Sequence, residues 1–263
     1  MKYGLLTLLL SLSFTLMASA QASGGQIVRK PRSSQRTTIS AKPKHKIQDK
    51  ENKEGFAELE KIKKQGEIQD LKIQDELLRT NDNNRKLEIL KSASSSFESS
   101  NDYERAIKYY NQYLKLLSTC SINDLEYLAK LYSRFADYLS NYKLEEYRNE
   151  IVLKAVEVYR QLGEKFPVQR IYAAYQCATM KNKLDKTGEK GLAKPDYQKV
   201  VDLLANKTNR DNSENTMLKY SYHYLMSNAF IYGKNKALAK EYADKILAID
   251  PEYAPALQIR VLK

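Results

Sequence analysis

From about Lys86 to the end of the chain, apolar positions recur at spacings near three and four, so the pattern predicts helices throughout and an all-α fold. Three segments carry the same order of a large, an apolar, a small and an aromatic residue at offsets 0, +3, +4 and +7. They are Leu90, Ala93, Ser94 and Phe97; Leu125, Leu128, Ala129 and Tyr132; and His223, Met226, Ser227 and Phe230. A second pattern follows some of them: Ala155, Tyr159 and Leu162 before Pro167, and Ala239, Ala243 and Ile246 before Pro251. Small residues at i and i+4 let a neighbouring helix approach closely, and proline stops a helix because it has no N–H and disfavours helical geometry in the residue before it. Upstream, residues 47–85 are rich in Glu, Lys, Gln and Asp, with a thin apolar series of Phe56, Leu59, Ile62, Ile68, Leu71 and Leu78. Gly66 divides this segment, which predicts two helices or one kinked helix packing on the first repeat or on a partner, without the sustained heptads of a coiled coil.

The helical part is weakly self-similar. Residues 102–110 (DYERAIKYY) parallel residues 196–204 (DYQKVVDLL), and a small or short apolar side chain recurs at Ala106, Ala155, Val200 and Ala239, at spacings of 49, 45 and 39. The register between Ile171 and Met180 is ambiguous on sequence. Residues 183–195, which contain Gly188 and Gly191, are long for a connection between two helices and are where an insertion or a contact loop is expected.

Residues 232–262 (YGKNKALAKEYADKILAIDPEYAPALQIRVL), with Ala239, Ala243, Ile246 and Pro251 in order, resemble the second helix and exit turn of a tetratricopeptide (TPR) repeat. The resemblance extends over residues 86–263; the spacings exceed the family's usual repeat of about 34 residues, so helices or loops are longer here. Sel-like repeats share the same hairpin logic. The resemblance implies a right-handed α-solenoid of helix hairpins serving as a binding scaffold rather than an enzyme. It also implies a ligand face lined by first-helix residues at offsets +1, +5 and +8: Lys91, Ser95 and Glu98; Glu126, Lys130 and Ser133; Tyr224, Asn228 and Ile231. The family's carboxylate-gripping variant uses Lys and Asn, whereas Asn228 here has Tyr224 as its companion. On this register Tyr224 stands on the concave surface and Ala239 against the first helix of its own repeat.

The first twenty residues read as a secretory signal peptide: Lys2, an apolar run from Gly4 to Met17, and Ala18-Ser19-Ala20 before Gln21. The run is shorter than the roughly 20 residues that span a bilayer, which disfavours an anchor and leaves no transmembrane segment in the mature chain. An exported protein is expected, periplasmic or secreted. Residues 21–46 then form a basic tail, expected to be disordered, with Arg29, Lys30, Arg32, Arg36, Lys42, Lys44 and Lys46 and no acid. Apart from these seven and Lys2, the formal charge of +12 reduces to 36 bases against 32 acids, so the basicity belongs mostly to the tail. A tail of this kind is a solvated linker or a contact for a polyanion, such as lipid headgroups or an anionic glycan; export argues against nucleic acid.

Only Cys120 and Cys177 are present, so no disulfide framework holds the fold; the alternatives are one bridge or two small buried apolar residues. All but one of the 20 tyrosines lie between Tyr103 and Tyr253, and Tyr220, Tyr222 and Tyr224 cannot share one helix face. His45 and His223 have no ligand-spaced partner, and no nucleophile elbow, phosphate loop or zinc signature occurs. The expectation is a non-enzymatic adaptor for a protein or peptide, without cofactor or metal.

Overall fold

The computed structural model describes residues 44–262, with side chains from residue 52 onward. Residues 1–20, read above as a signal peptide, and the tail bases Arg29, Lys30, Arg32, Arg36 and Lys42 lie outside the described residues, as do the side chains of Lys44 and Lys46. Among the described residues there are ten α-helices and no strand. They are α1 (Lys44–Arg79), α2 (Asn83–Ser99), α3 (Tyr103–Leu116), α4 (Ile122–Ser140), α5 (Glu145–Lys165), α6 (Arg170–Leu184), α7 (Lys194–Leu204), α8 (Asn212–Ile231), α9 (Lys236–Leu247) and α10 (Ala254–Arg260).

Local chemistry sets the helix ends. Ser121 and Asp124 form a capping box at the start of α4, and Asp211 and Glu214 form another at α8, so orphan N–H groups are satisfied reciprocally. Asp102 caps α3 and Asn235 caps α9. Pro167 follows the end of α5 and opens a single 3₁₀ turn, Pro195 sits in the first turn of α7, and Pro251 lies in the turn after α9.

Each helix packs chiefly on its chain neighbours. Side chains also join alternate helices: Tyr127 of α4 donates to Glu98 of α2 at 2.6 Å, Tyr172 of α6 to Glu126 of α4 at 3.0 Å, and Tyr147 of α5 to Glu104 of α3 at 2.9 Å. The core divides into two apolar clusters. One is centred on α2 to α5 with Phe97, Leu131, Phe135, Leu139 and Leu162; the other, on α7 to α9, holds Leu204, Leu225, Met226, Ala239, Ala243 and Ile246. Ala106, Ala155, Val200 and Ala239 are all fully buried, leaving no room for a larger side chain at these helix contacts. In α6 the ambiguous register resolves with Ala173, Ala174, Cys177 and Ala178 facing the core.

The charged segment differs from its expectation. It is one continuous helix through Gly66, and it begins at Lys44, inside the segment assigned to the tail. A Cβ on Gly66 would lie 2.9 Å from Arg105 Nη1, 3.0 Å from Asp102 Oδ2 and 3.1 Å from Phe97, so this glycine permits close approach of α1 to the α2–α3 hairpin instead of breaking the helix. The apolar series also divides. Leu59 is buried, whereas Phe56, Ile68, Leu71 and Leu78 are exposed. The docked face instead carries Asp70, whose carboxylate accepts from Tyr109 Oη at 2.5 Å and lies 3.3 Å from Lys108 Nζ and 3.5 Å from Arg105 Nε. Burial alone would raise the Asp70 pKa; the hydrogen bond from Tyr109 and the charge of Lys108 bring it below the usual carboxylate value. Contacts of Lys63 with Glu104 and of Asp70 with Lys108 come in the same order along both helices, so α1 runs parallel to α3.

Candidate functional site

The first helices α2, α4 and α6 bring three of the expected contact residues together. Glu98 accepts from Tyr127 and pairs with Arg134 at 2.5 Å, and that guanidinium lies 5.6 Å over the Tyr127 ring. Next to Tyr127 on α4, Glu126 pairs with Lys130 at 2.6 Å and accepts from Tyr172. The hydrogen bond from Lys130 holds Glu126 below its ordinary pKa, while burial pushes Tyr127 up to about 12, aided by its bond to Glu98. Ser133 receives a 3.4 Å hydrogen bond from Lys183, which also pairs with Asp137 at 2.6 Å. The result is a ladder of carboxylates, cations and tyrosine hydroxyls that satisfy one another across three helices. A bound segment would have to exchange these pairs for its own.

The other candidates do not join this ladder. Lys91 is exposed on α2, 5.7 Å over the Tyr113 ring, beside the Asp124 carboxylate reached by Tyr110 and Tyr113 at 3.4 Å. Asn228 of α8 spends its amide on the contact loop, donating to the Gly188 carbonyl at 3.0 Å. Gly188 itself adopts a φ of 78°, a conformation a side chain would strain. Tyr232 donates to the carbonyl of Thr187 at 2.5 Å, so the loop closes back on α8. Tyr224 is a correction: it is only 2% exposed, its ring 4.6 Å from that of Tyr197, and burial pushes its hydroxyl up to about 12. The face that the offsets assign to a ligand is filled at this point by α7 and the contact loop. Of the three neighbouring tyrosines, Tyr222 is also buried and Tyr220 half-buried.

Neither cysteine is bridged. Cys177 is buried, its thiol pushed up to about 11 by desolvation and donating weakly to the Val156 carbonyl; Cys120 contacts the carbonyl of Ser121. His223 is buried in α8, edge-on to Tyr253 at 5.6 Å, and desolvation lowers its pKa to about 4. Among the described residues no group of three His, Cys, Asp or Glu is placed to hold a metal ion, and no helix is long and apolar enough to cross a membrane.

None of the residues that sequence reasoning assigned to a ligand face lies at the seam where α1 meets α3. Two grooves flank this seam. One of about 390 Å³ lies among α1, α3 and α5, with Phe56 and Tyr147 between Glu60, Glu104, Glu146 and Glu150. The other, of about 510 Å³, lies among α1, α2 and α3, floored by Leu77, Leu90 and Leu116 and edged by Leu78, Lys86 and Lys115. Their sequence signal was the thin apolar series of α1, which periodicity assigned to packing on the first repeat or on a partner. No family model, no curated protein and no solved structure matches this chain.

Proposed function

We propose that this protein is an exported scaffold of TPR-like helix hairpins, wound as a right-handed solenoid, that holds a peptide segment or a helix of a partner protein. The observation that carries this reading is the stacking itself. Helices that pack on chain neighbours and alternate helices generate a broad surface for their length, and a preformed surface binds a segment without a large conformational change. The signal-like sequence ending Ala18-Ser19-Ala20 supports export to the periplasm or beyond.

A second reading rests on charge segregation: seven bases and no acid in residues 21–46 fit a tail that contacts an anionic glycan or lipid headgroups at the cell envelope. One experiment separates them. Photo-crosslinkers placed at Lys91, Lys130 and Lys115, in chains with and without residues 21–46, are irradiated with the envelope fraction at low and high salt. The adaptor reading expects crosslinks to a defined protein that persist without the tail and at salt where the Debye length falls to about 3 Å. Capture that disappears on either change favours the polyanion reading, and no protein crosslinked at any position sinks the adaptor.

A further inference from the structure

The groove at the α1–α2–α3 corner combines two features absent from the ladder face: an exposed leucine and lysines without partners. Leu78 is 84% exposed, the highest value among the exposed large apolar side chains of the described residues, and it stands at the edge of a floor made by Leu77, Leu90 and Leu116. Leu71 and Ile68, 66% and 69% exposed, continue the apolar surface toward the start of α1. Among the described residues nine large apolar side chains are exposed, and three of them, Ile68, Leu71 and Leu78, lie on this stretch of α1, which marks a surface built to be covered.

The charges choose the occupant. Lys86 and Lys115 flank the groove with no carboxylate within ion-pair distance among the described residues, whereas Arg85, next to Lys86 in the chain, is already held by Glu76 at 2.9 Å and Glu88 at 3.1 Å. Residues 21–43 of this chain carry five bases and no acid, so the lysines repel them. A second copy docking through the same patch around a twofold axis would bring these lysines against their own counterparts. We infer that the α1–α2–α3 groove receives an acidic amphipathic helix of a partner protein, its leucine-type anchors against Leu78 and Leu90 and its carboxylates paired with Lys86 and Lys115. This rests on the adaptor reading and deepens it by naming the partner's chemistry. It also moves the contact from the ladder of paired charges to the seam of α1.

The test uses the full chain and two fluorescent helical peptides about 16 residues long, with leucines at i, i+3, i+4 and i+7 and either Glu or Lys elsewhere. Fluorescence anisotropy is expected to show binding of the Glu–Leu peptide and not of the Lys–Leu peptide. Leu78→Ser, at a site exposed enough to leave folding intact, is expected to weaken binding about tenfold or more. Lys86→Glu combined with Lys115→Glu should reverse the preference between the two peptides. Equal binding of both peptides, or Leu78→Ser without effect, overturns the inference. So does a dimer in analytical ultracentrifugation that Leu78→Ser abolishes, which assigns the patch to a second copy, and so does binding that appears only once residues 21–43 are deleted. Crosslinks to a partner from Lys130 but not from Lys115 would refute this site and leave the adaptor function standing.

Discussion

His223 is a histidine that folding keeps neutral. Its pKa drops to about 4 on burial, against about 6.5 in an unfolded chain, so below pH 6.5 the unfolded state takes up a proton that the folded state refuses. Stability therefore falls as pH drops from 6.5 to 4, by up to about 3 kcal/mol from this residue. Denaturant titrations at pH 7, 5.5 and 4.5 should show that loss, and His223→Phe should flatten it. A slope unchanged in the variant would place the loss elsewhere. Loss due to carboxylates with lowered pKa values, such as Asp70, Asp124 and Glu126, belongs to lower pH, where they protonate in the folded state. Packing gives a second residue-level test. Tyr224→Ala removes a buried ring packed at a tilt against Tyr197 and should cost about 3–5 kcal/mol, the reverse of what a concave-surface position implies. Ala239→Leu forces methylenes into a contact with no free surface and should cost about 1–3 kcal/mol. Urea unfolding of both variants checks the register, and a neutral Tyr224→Ala would contradict its burial.

The element that sequence periodicity describes least well is α1. A helix in which Leu59 is the one buried large apolar side chain among the described residues has little hydrophobic reason to dock, so polar contacts and a glycine supply it. Asp70 gathers Tyr109, Lys108 and Arg105, while Arg105 also donates to the Lys63 carbonyl at 2.9 Å and pairs with Asp102 at 2.5 Å. Asp70→Ala leaves the hydroxyl of the fully buried Tyr109 and the Arg105 guanidinium short of an acceptor, and about 1.5–3 kcal/mol should be lost locally. Hydrogen exchange should then show protection falling in α1 and persisting in α4 to α9. Uniform loss across all helices would mean that α1 and the stack unfold as one unit. Leu71 and Leu78, which periodicity assigned to packing on the first repeat or on a partner, face solvent because the docked stripe runs through Gly66 and Asp70.

For the whole molecule, packing between neighbours replaces crosslinks. Both thiols are free, and the interior is two apolar clusters rather than one centre. Unfolding should start at the ends of the array and proceed inward, with no change in melting temperature on adding dithiothreitol or a chelator. A melting temperature that drops in dithiothreitol would reinstate a Cys120–Cys177 bridge. Tip-to-centre exchange gradients from mass spectrometry would report the direction of fraying.

Much of the fold was legible locally, because helix formation follows short-range rules. The triplets Leu125/Leu128/Ala129 and Leu90/Ala93/Ser94, the small residues from Ala106 to Ala239, and the prolines at 167 and 251 all mark periodicity or termination within one or two turns. The candidate site was legible only in part. Glu98, Glu126 and Lys130 do meet on one surface, but that they pair with Arg134, Tyr127 and Tyr172 depends on which helices lie side by side. Tyr224 had an exposed offset until α7 and the loop at Gly188 covered it. Gly66 read as a helix breaker until a neighbour came within 3 Å of where its side chain would be. Spacing along a chain says which residues share a helix face, whereas exposure is set by the element laid against that face, and that choice is made by contacts far apart in sequence.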